Sequence, residues 1–420
     1  MASRKPPLRP RWLYLAFFAW LAGHGRFTAL FFEDLGLSDT QIGILLAICP
    51  LATSLTAPSL GFWADRVDQQ HWRLPGTSII GHSAALAVFG LVTTLCFMLF
   101  LGGTLFSGND NYRFAYFFIV QSLFSVAKAP ASGVLDGLTL TFISSMGEDK
   151  IVYGAERLYG AVGWALSNLA LGLLADLVPG GLLTVIYPFV LVNFVILLVV
   201  LSRFSAGLPR PENEKLEDDA DTVNLTMKPT IEGPSPKTTE TNFKEGTIRK
   251  SDDNSAWSTF LLLLRRFGGR PSRCGFVLSA IVMTAATAIV EDLLFLFFSQ
   301  DLNASNLLCG ISVVVTVVWE VPIFKYAAPL LQRCGANSLL AVSAIAYVIR
   351  VLGYTLVNNQ WLVLTLEPLH GVTYACLKTA TVQYVALVTP PGMDATAQVP
   401  LNRMHLKKIV FHLTFACAGV

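Results

Sequence analysis

Apolar and polar positions alternate along this chain on a coarse scale. Ten predominantly apolar runs lie at 12–32, 41–64, 76–102, 114–142, 155–177, 183–203, 274–298, 306–327, 337–357 and 361–388. A helix needs about 20 such residues to cross roughly 30 Å of hydrocarbon. The pattern therefore predicts an all-α, multipass membrane bundle of about ten spans. One long polar stretch, 204–272, follows the sixth run. It holds Pro211-Glu212-Asn213-Glu214-Lys215 and Ser251-Asp252-Asp253-Asn254-Ser255, and is too poor in apolar surface to fold alone. Near its end, Leu261 to Leu264 followed by Arg265 and Arg266 reads as a short helix on the membrane surface. The expected organisation is a six-helix bundle at 1–203, a disordered linker at 204–272, a four-span bundle at 273–388 and an atypical tail at 389–420.

Composition agrees. Of 420 residues, 53% are hydrophobic and 14% charged, against about 25% charged in soluble domains. The net charge of +2 selects no partner, and no basic face with interleaved aromatics marks a nucleic-acid surface. Cys49, Cys96, Cys274, Cys309, Cys334, Cys376 and Cys417 form no CxxC pair and read as packing residues. No metal or cofactor is expected, and neither a nucleophile elbow nor a phosphate loop points to an enzyme. The first apolar run is too long for a signal-peptide core and reads as the first span.

Lys and Arg fix the expected orientation. Arg4, Lys5, Arg9 and Arg11 precede the first span, Arg66 and Arg73 follow the second, Lys150 follows the fourth, and Arg333, Lys407 and Lys408 follow the eighth and tenth. The alternate loops are nearly bare, Arg113 being the clear exception. The amino terminus and linker are therefore expected in the cytosol.

Charges within the spans narrow the function. A Lys, Arg or Asp at a helix centre costs about 2.5–3.5 kcal/mol to insert. Arg26, Lys128, Glu291, Arg350, Glu367 and Lys378 together rival a typical folding stability of about 5–15 kcal/mol unless they are paired or hydrated. Ser125, Lys128, Ser132 and Asp136 step by helical spacing and predict one polar face in the fourth span. In the seventh, Thr284, Thr287 and Glu291 share a face, leaving Asp292 to pair sideways or titrate. Glu320 and Arg350 lie in the eighth and ninth spans. The tenth stacks Glu367, His370, Tyr374 and Lys378 on one face, with Pro368 inviting a kink. A carboxylate one turn from an imidazole relays a proton or simply glues helices. Arg157 either snorkels or gates. Ser38 and Gln41 fit a capping box, and Gly43, Gly160 and Gly163 suit close packing. Gly61 to Arg66 closes the second span, where Asp65 and Arg66 form a gating pair or a juxtamembrane one.

Together, Glu33 to Gly43, Gly61 to Arg66, Arg157 to Trp164, Arg350 and Glu367 to Gln398 resemble the major facilitator superfamily. The likeness is to the branch of the domain-containing protein 6 group and the oligosaccharide- or nucleoside–proton symporters. The resemblance implies two pseudo-repeat halves, twelve helices, alternating access and proton-coupled uptake. After Gln398 the chain departs from it: Val399 to Lys408 is polar and Ile409 to Val420 is too short to cross a bilayer, so the second half reads as truncated. The expected function is proton-coupled symport of a small polar solute. The partners are that solute, protons and the lipid bilayer. Expected solute- or proton-coupling residues are Glu367, His370, Lys378, Tyr374, Glu291, Lys128, Arg350 and Arg26, with Gly61, Asp65 and Arg66 as the gating loop. The alternative is a non-transporting receptor or scaffold, whose buried charges would be locked pairs. The carrier reading expects water to reach Glu367, His370, Lys128 and Glu291.

Overall fold

The computed structural model describes residues 8–106, 110–148, 152–207 and 271–388. Most of the expected linker and all of the tail beyond 388 lie outside them, and with them the surface helix and the truncation. The first half comprises α1 (Pro10–Ala22), α2 (Thr28–Asp34), α3 (Asp39–Gln69), α4 (His82–Met98), α5 (Asp110–Lys128), α6 (Ala131–Ser145), α7 (Val152–Leu177) and α8 (Gly181–Gly207). The second comprises α9 (Pro271–Gln300), α10 (Asn306–Lys325), α11 (Ala327–Leu356) and α12 (Glu367–Val388). Short stretches of 3-10 helix extend α4 and precede α12.

All ten apolar runs are helical, but not all are single helices. Among the described residues, seven helical segments are long and apolar enough to cross a membrane. The first run is broken between α1 and α2 by Gly23-His24-Gly25-Arg26-Phe27, where the amides of Gly23, His24 and Gly25 bond three residues back instead of four. The fourth is broken at Ala129-Pro130, between α5 and α6. The proline ring disfavours helical geometry in the residue before it. This corrects the expected stripe in that span, because Ser125 is buried while Ser132 is exposed. The tenth starts late, so Pro368 sits in the first turn of α12. There its missing N–H would have had no partner, and no kink results.

Outward faces are apolar, as a lipid-facing bundle requires: Leu91, Leu95, Val192, Val195, Ile196, Val199, Ile345, Val348 and Leu352 are all exposed. Ser38 starts α3 with the expected capping box, completed by Gln41. Gly160 and Gly163 lie against α1, whereas Gly43 meets open space and packs against nothing.

The halves join unequally. They meet along α7 against α10 and α2 against α9. One apolar core runs through the first half and takes in Leu294 to Leu296, Phe298, Cys309, Val313, Val317, Tyr354 and Val363 of the second. Most of these residues lie toward the far end, away from the linker, and the core reaches mid-depth at Val317 of α10. At the linker end, Phe276, Ala280, Leu339, Leu340, Cys376, Leu377 and Ala380 form a separate cluster.

A leucine at Gly163 would strike the backbone of Leu15 on α1, whereas Gly154 on the same helix faces open space. Gly163→Leu is expected to lower stability by about 1–3 kcal/mol, the usual cost of overpacking. Gly154→Leu should leave it unchanged. Thermal unfolding in detergent compares the two, and equal midpoints would refute the packing argument.

Candidate functional site

The α1–α2 break places Arg26 opposite α12. Its Nη2 lies 2.7 Å from Nε2 of His370, so the contact crosses from the first half to the second. The late start of α12 puts Glu367 and His370 in its first two turns, facing α10 and α11. Tyr354 of α11 donates its hydroxyl to Glu367 Oε1 at 2.7 Å, and Thr316 of α10 donates to Oε2 at 2.8 Å. Arg350 Nε donates to the Tyr354 hydroxyl at 2.7 Å, and Arg350 Nη1 reaches His370 Nδ1 at 2.5 Å. Glu291 Oε1 of α9 lies 3.2 Å from His370 Nε2. The chain Glu367–Tyr354–Arg350–His370 thus ends on both Glu291 and Arg26.

The network constrains the imidazole. Guanidinium nitrogens only donate, and a neutral imidazole has one donor and one acceptor. With Nδ1 accepting from Arg350, Nε2 carries the hydrogen and donates to Glu291. The Arg26 N–H then meets another donor. An imidazolium would set donor against donor at both arginines, so the neutral ring fits this arrangement better.

The ionisable groups are not uniformly wet. Glu367 and Arg350 are 0% exposed and His370 1%, whereas the Glu291 side chain is 26% exposed. The expectation of hydrated stripes is corrected at Glu367 and His370, because protein groups have taken the place of water. Nor do Glu367 and His370 share a direct hydrogen bond: they communicate through Tyr354 and Arg350. Glu320 lies one turn from Thr316, is 8% exposed and feels the charges of Glu291 and Arg26. Tyr374 and Lys378 follow down α12, the ammonium 5.7 Å from the Tyr374 ring.

Lys128 does not join this group. Its Nζ donates to the carbonyl of His24 at 3.4 Å and lies 5.3 Å from the Phe124 ring. Asp136 accepts from Tyr14 at 2.6 Å and from Arg157 at 2.9 Å, so Arg157 is paired inside the first half. Asp65 and Arg66 are not bonded to each other. Asp65 meets His82 Nε2 at 3.1 Å, and the Arg66 guanidinium lies 4.6 Å from the Phe62 ring. Beside them, burial pushes the Asp68 carboxyl up. Contacts from the His82 ring and backbone outweigh that and hold it below the usual carboxylate range.

Several members escaped the sequence reading. Tyr354 and Thr316 carry no charge, although each lies one helical turn from a charged residue, Arg350 and Glu320. Glu156 is 1% exposed and takes Arg11 Nη2 at 2.8 Å and Arg9 Nη1 at 3.2 Å; Arg9 also pairs with Glu148.

A two-half helical membrane bundle with an ionisable network reaching across its midline has the architecture of a membrane transporter. Residues 8–406 match the MFS_1 like family, and the chain belongs to it. It is 21% identical over 396 residues to the maltose permease of Geobacillus stearothermophilus, covering 94% of this chain and 82% of the permease. It is 24% identical to the probable 3-phenylpropionic acid transporter of Escherichia coli (strain K12), covering 90% and 82%. The fold is also that of a mutant form of the nucleoside transporter NupG, with a TM-score of 0.64 at 14% identity over 97% of this chain and 88% of that one. A bacterial homologue of the human lysosomal transporter Spinster, solved inward-facing and unoccupied, gives 0.54 at 15% identity over 95% and 78%. The protein is therefore a multipass secondary transporter of the major facilitator superfamily and not an enzyme.

Tyr354→Phe keeps the ring but removes the donor to Glu367 and the acceptor of Arg350. It should cost about 1–3 kcal/mol, the penalty for stranding buried polar partners. Thermal or denaturant unfolding measures this, and a change within error would mean the relay is not stabilising.

Proposed function

We propose that this transporter moves a small polar solute together with protons, by alternating access, with its amino terminus and linker in the cytosol. The observation that supports it best is the relay from Glu367 through Tyr354 and Arg350 to His370, ending on Arg26 of the other half. Ionised Glu367 accepts from both Tyr354 and Thr316. Once protonated, it has a hydrogen of its own to donate, and the Tyr354 hydroxyl must reorient or lose a partner. That disturbs Arg350, and through it the ring that faces Arg26.

In this reading Glu367 and His370 form the protonation pair, acting through two intermediaries. Glu291, partly hydrated, is the second titrating or solute-binding acid. Arg26, Arg350, Lys128 and Lys378 balance charge or hold an anionic group of the solute, and Tyr374 lines the path between Glu291 and Lys378. Gly61, Asp65 and Arg66 belong to the gate at the cytosolic end.

Thermal stabilisation of the purified protein by maltose, 3-phenylpropionate and nucleosides is the first screen, since the relatives' names span these three chemistries. In proteoliposomes loaded with a stabilising solute, Glu367→Gln should lose accumulation driven by a pH gradient but keep solute exchange. Gradient-driven accumulation equal to that of the unaltered protein would remove Glu367 from coupling and leave the cluster as a structural clamp.

A further inference from the structure

The far end, where the shared apolar core joins the halves, also carries a polar tie that sequence reading did not single out. Asp176, next to last in α7, belongs to the first half. Its Oδ1 accepts from the backbone N–H and the side-chain amide of Asn306, both at 3.0 Å, and its Oδ2 accepts from the Leu307 N–H at 2.8 Å. Asn306 and Leu307 are the first two residues of α10, in the second half. The leading amides of a helix have no partner within it. The α10 N-cap, Ser305, satisfies only Leu308 with its side chain, at 3.2 Å. The other half therefore completes the cap, with a negative charge at the positive end of the helix dipole. Backbones touch beside it: a Cβ at Gly172 would collide with the Asn306 carbonyl, and one at Gly310 with that of Asn168. A second tie runs from Gln300 of α9 to Glu33 at 2.9 Å and Asp39 at 3.2 Å.

We infer that Asp176 is the latch of the far gate, a positioning residue that sets how readily the halves part there. Opening this end requires α7 to leave α10, which breaks all three hydrogen bonds together and strips the first turn of α10 of its partners. At the linker end, the second half's separate apolar cluster leaves that end free to open while the latch is shut. The inference rests on the alternating-access reading above, but its test needs neither solute nor proton gradient.

Spin labels at Leu177 and Asp301 report the far end, and labels at Ser144 and Cys334 the linker end, in a background with the other cysteines replaced. Asp176→Ala should enlarge the long-distance population at the far end and, in step, a short-distance population at the linker end. Asp176→Asn, which keeps the shape and one acceptor, should fall between it and the unaltered protein, and it serves alone if the alanine variant does not fold. Distances unchanged in both variants would overturn the proposal. So would far-end lengthening without linker-end closure, which is what mere loosening of structure produces. Gly154→Leu, on the same helix but facing open space, should leave both distributions unchanged; because neither readout involves solute or protons, a failed latch is separable from a failed coupling proposal.

Discussion

A charge inside a hydrocarbon-thick bundle needs a partner or water, and this one requirement shapes most of what the protein contains. Arg350 is fully buried, and its guanidinium is held by a phenol hydroxyl and an imidazole. Glu367, equally buried, is held by two hydroxyls. Away from the centre the same rule places Glu156 between Arg9 and Arg11, and Asp136 between Tyr14 and Arg157. The outward faces of α4, α8 and α11 present valine, leucine and isoleucine. Charge is thus confined to seams between helices, and the seams decide which helices stay together.

Those seams differ in kind. The networks around Glu156 and Asp136 lie within the first half and tie its helices into one body. The tie between Arg26 and His370, and that between Asp176 and α10, cross between the halves. A transporter that exposes its centre to one side at a time has to keep the first kind and exchange the second. The apolar core obeys the same division. It is shared by the two halves from the far end to mid-depth at Val317, whereas nearer the linker the second half has a cluster of its own.

Much of this was legible in the sequence. Length and hydropathy located all ten helical runs, because lipid imposes a minimum apolar length on a span. Six of the eight central residues expected from charge and spacing do converge: Arg26, Glu291, Arg350, Glu367 and His370 in one network, with Tyr374 within electrostatic reach of it. Lys128 does not join them, while Lys378 stays on the α12 face with Tyr374. Spacing assigns a residue to a helix face, but only packing decides what that face meets, and beside the break at Ala129-Pro130 Lys128 turns toward the carbonyl of His24. Helical adjacency suggested that Glu367 and His370 act on one another as neighbours one turn apart, and the structure connects them through Tyr354 and Arg350 of α11. Tyr354, Thr316 and Asp176 were invisible for a common reason. A neutral hydroxyl costs little in lipid and so does an acid at a helix end, so neither leaves an anomaly for sequence to register.

The contact between Arg26 and His370 has a further property that follows from donor counting. His370 can accept from one arginine only, and the fully buried Arg350, fixed by Tyr354, has the stronger hold. Arg26 therefore faces the N–H that His370 gives to Glu291, so the ring is a poor acceptor for it, and the Glu291 carboxylate on the same ring nitrogen is the nearby group of opposite charge. Under the proposed proton coupling, the charge state of that acid would bear on how firmly Arg26 holds the first half to the second. Adding a proton to Glu291 would remove a favourable electrostatic partner of Arg26 while leaving the donor conflict with His370 in place. In the proton-coupled reading proposed above, this is the contact through which a proton taken up by the second half would act on the first.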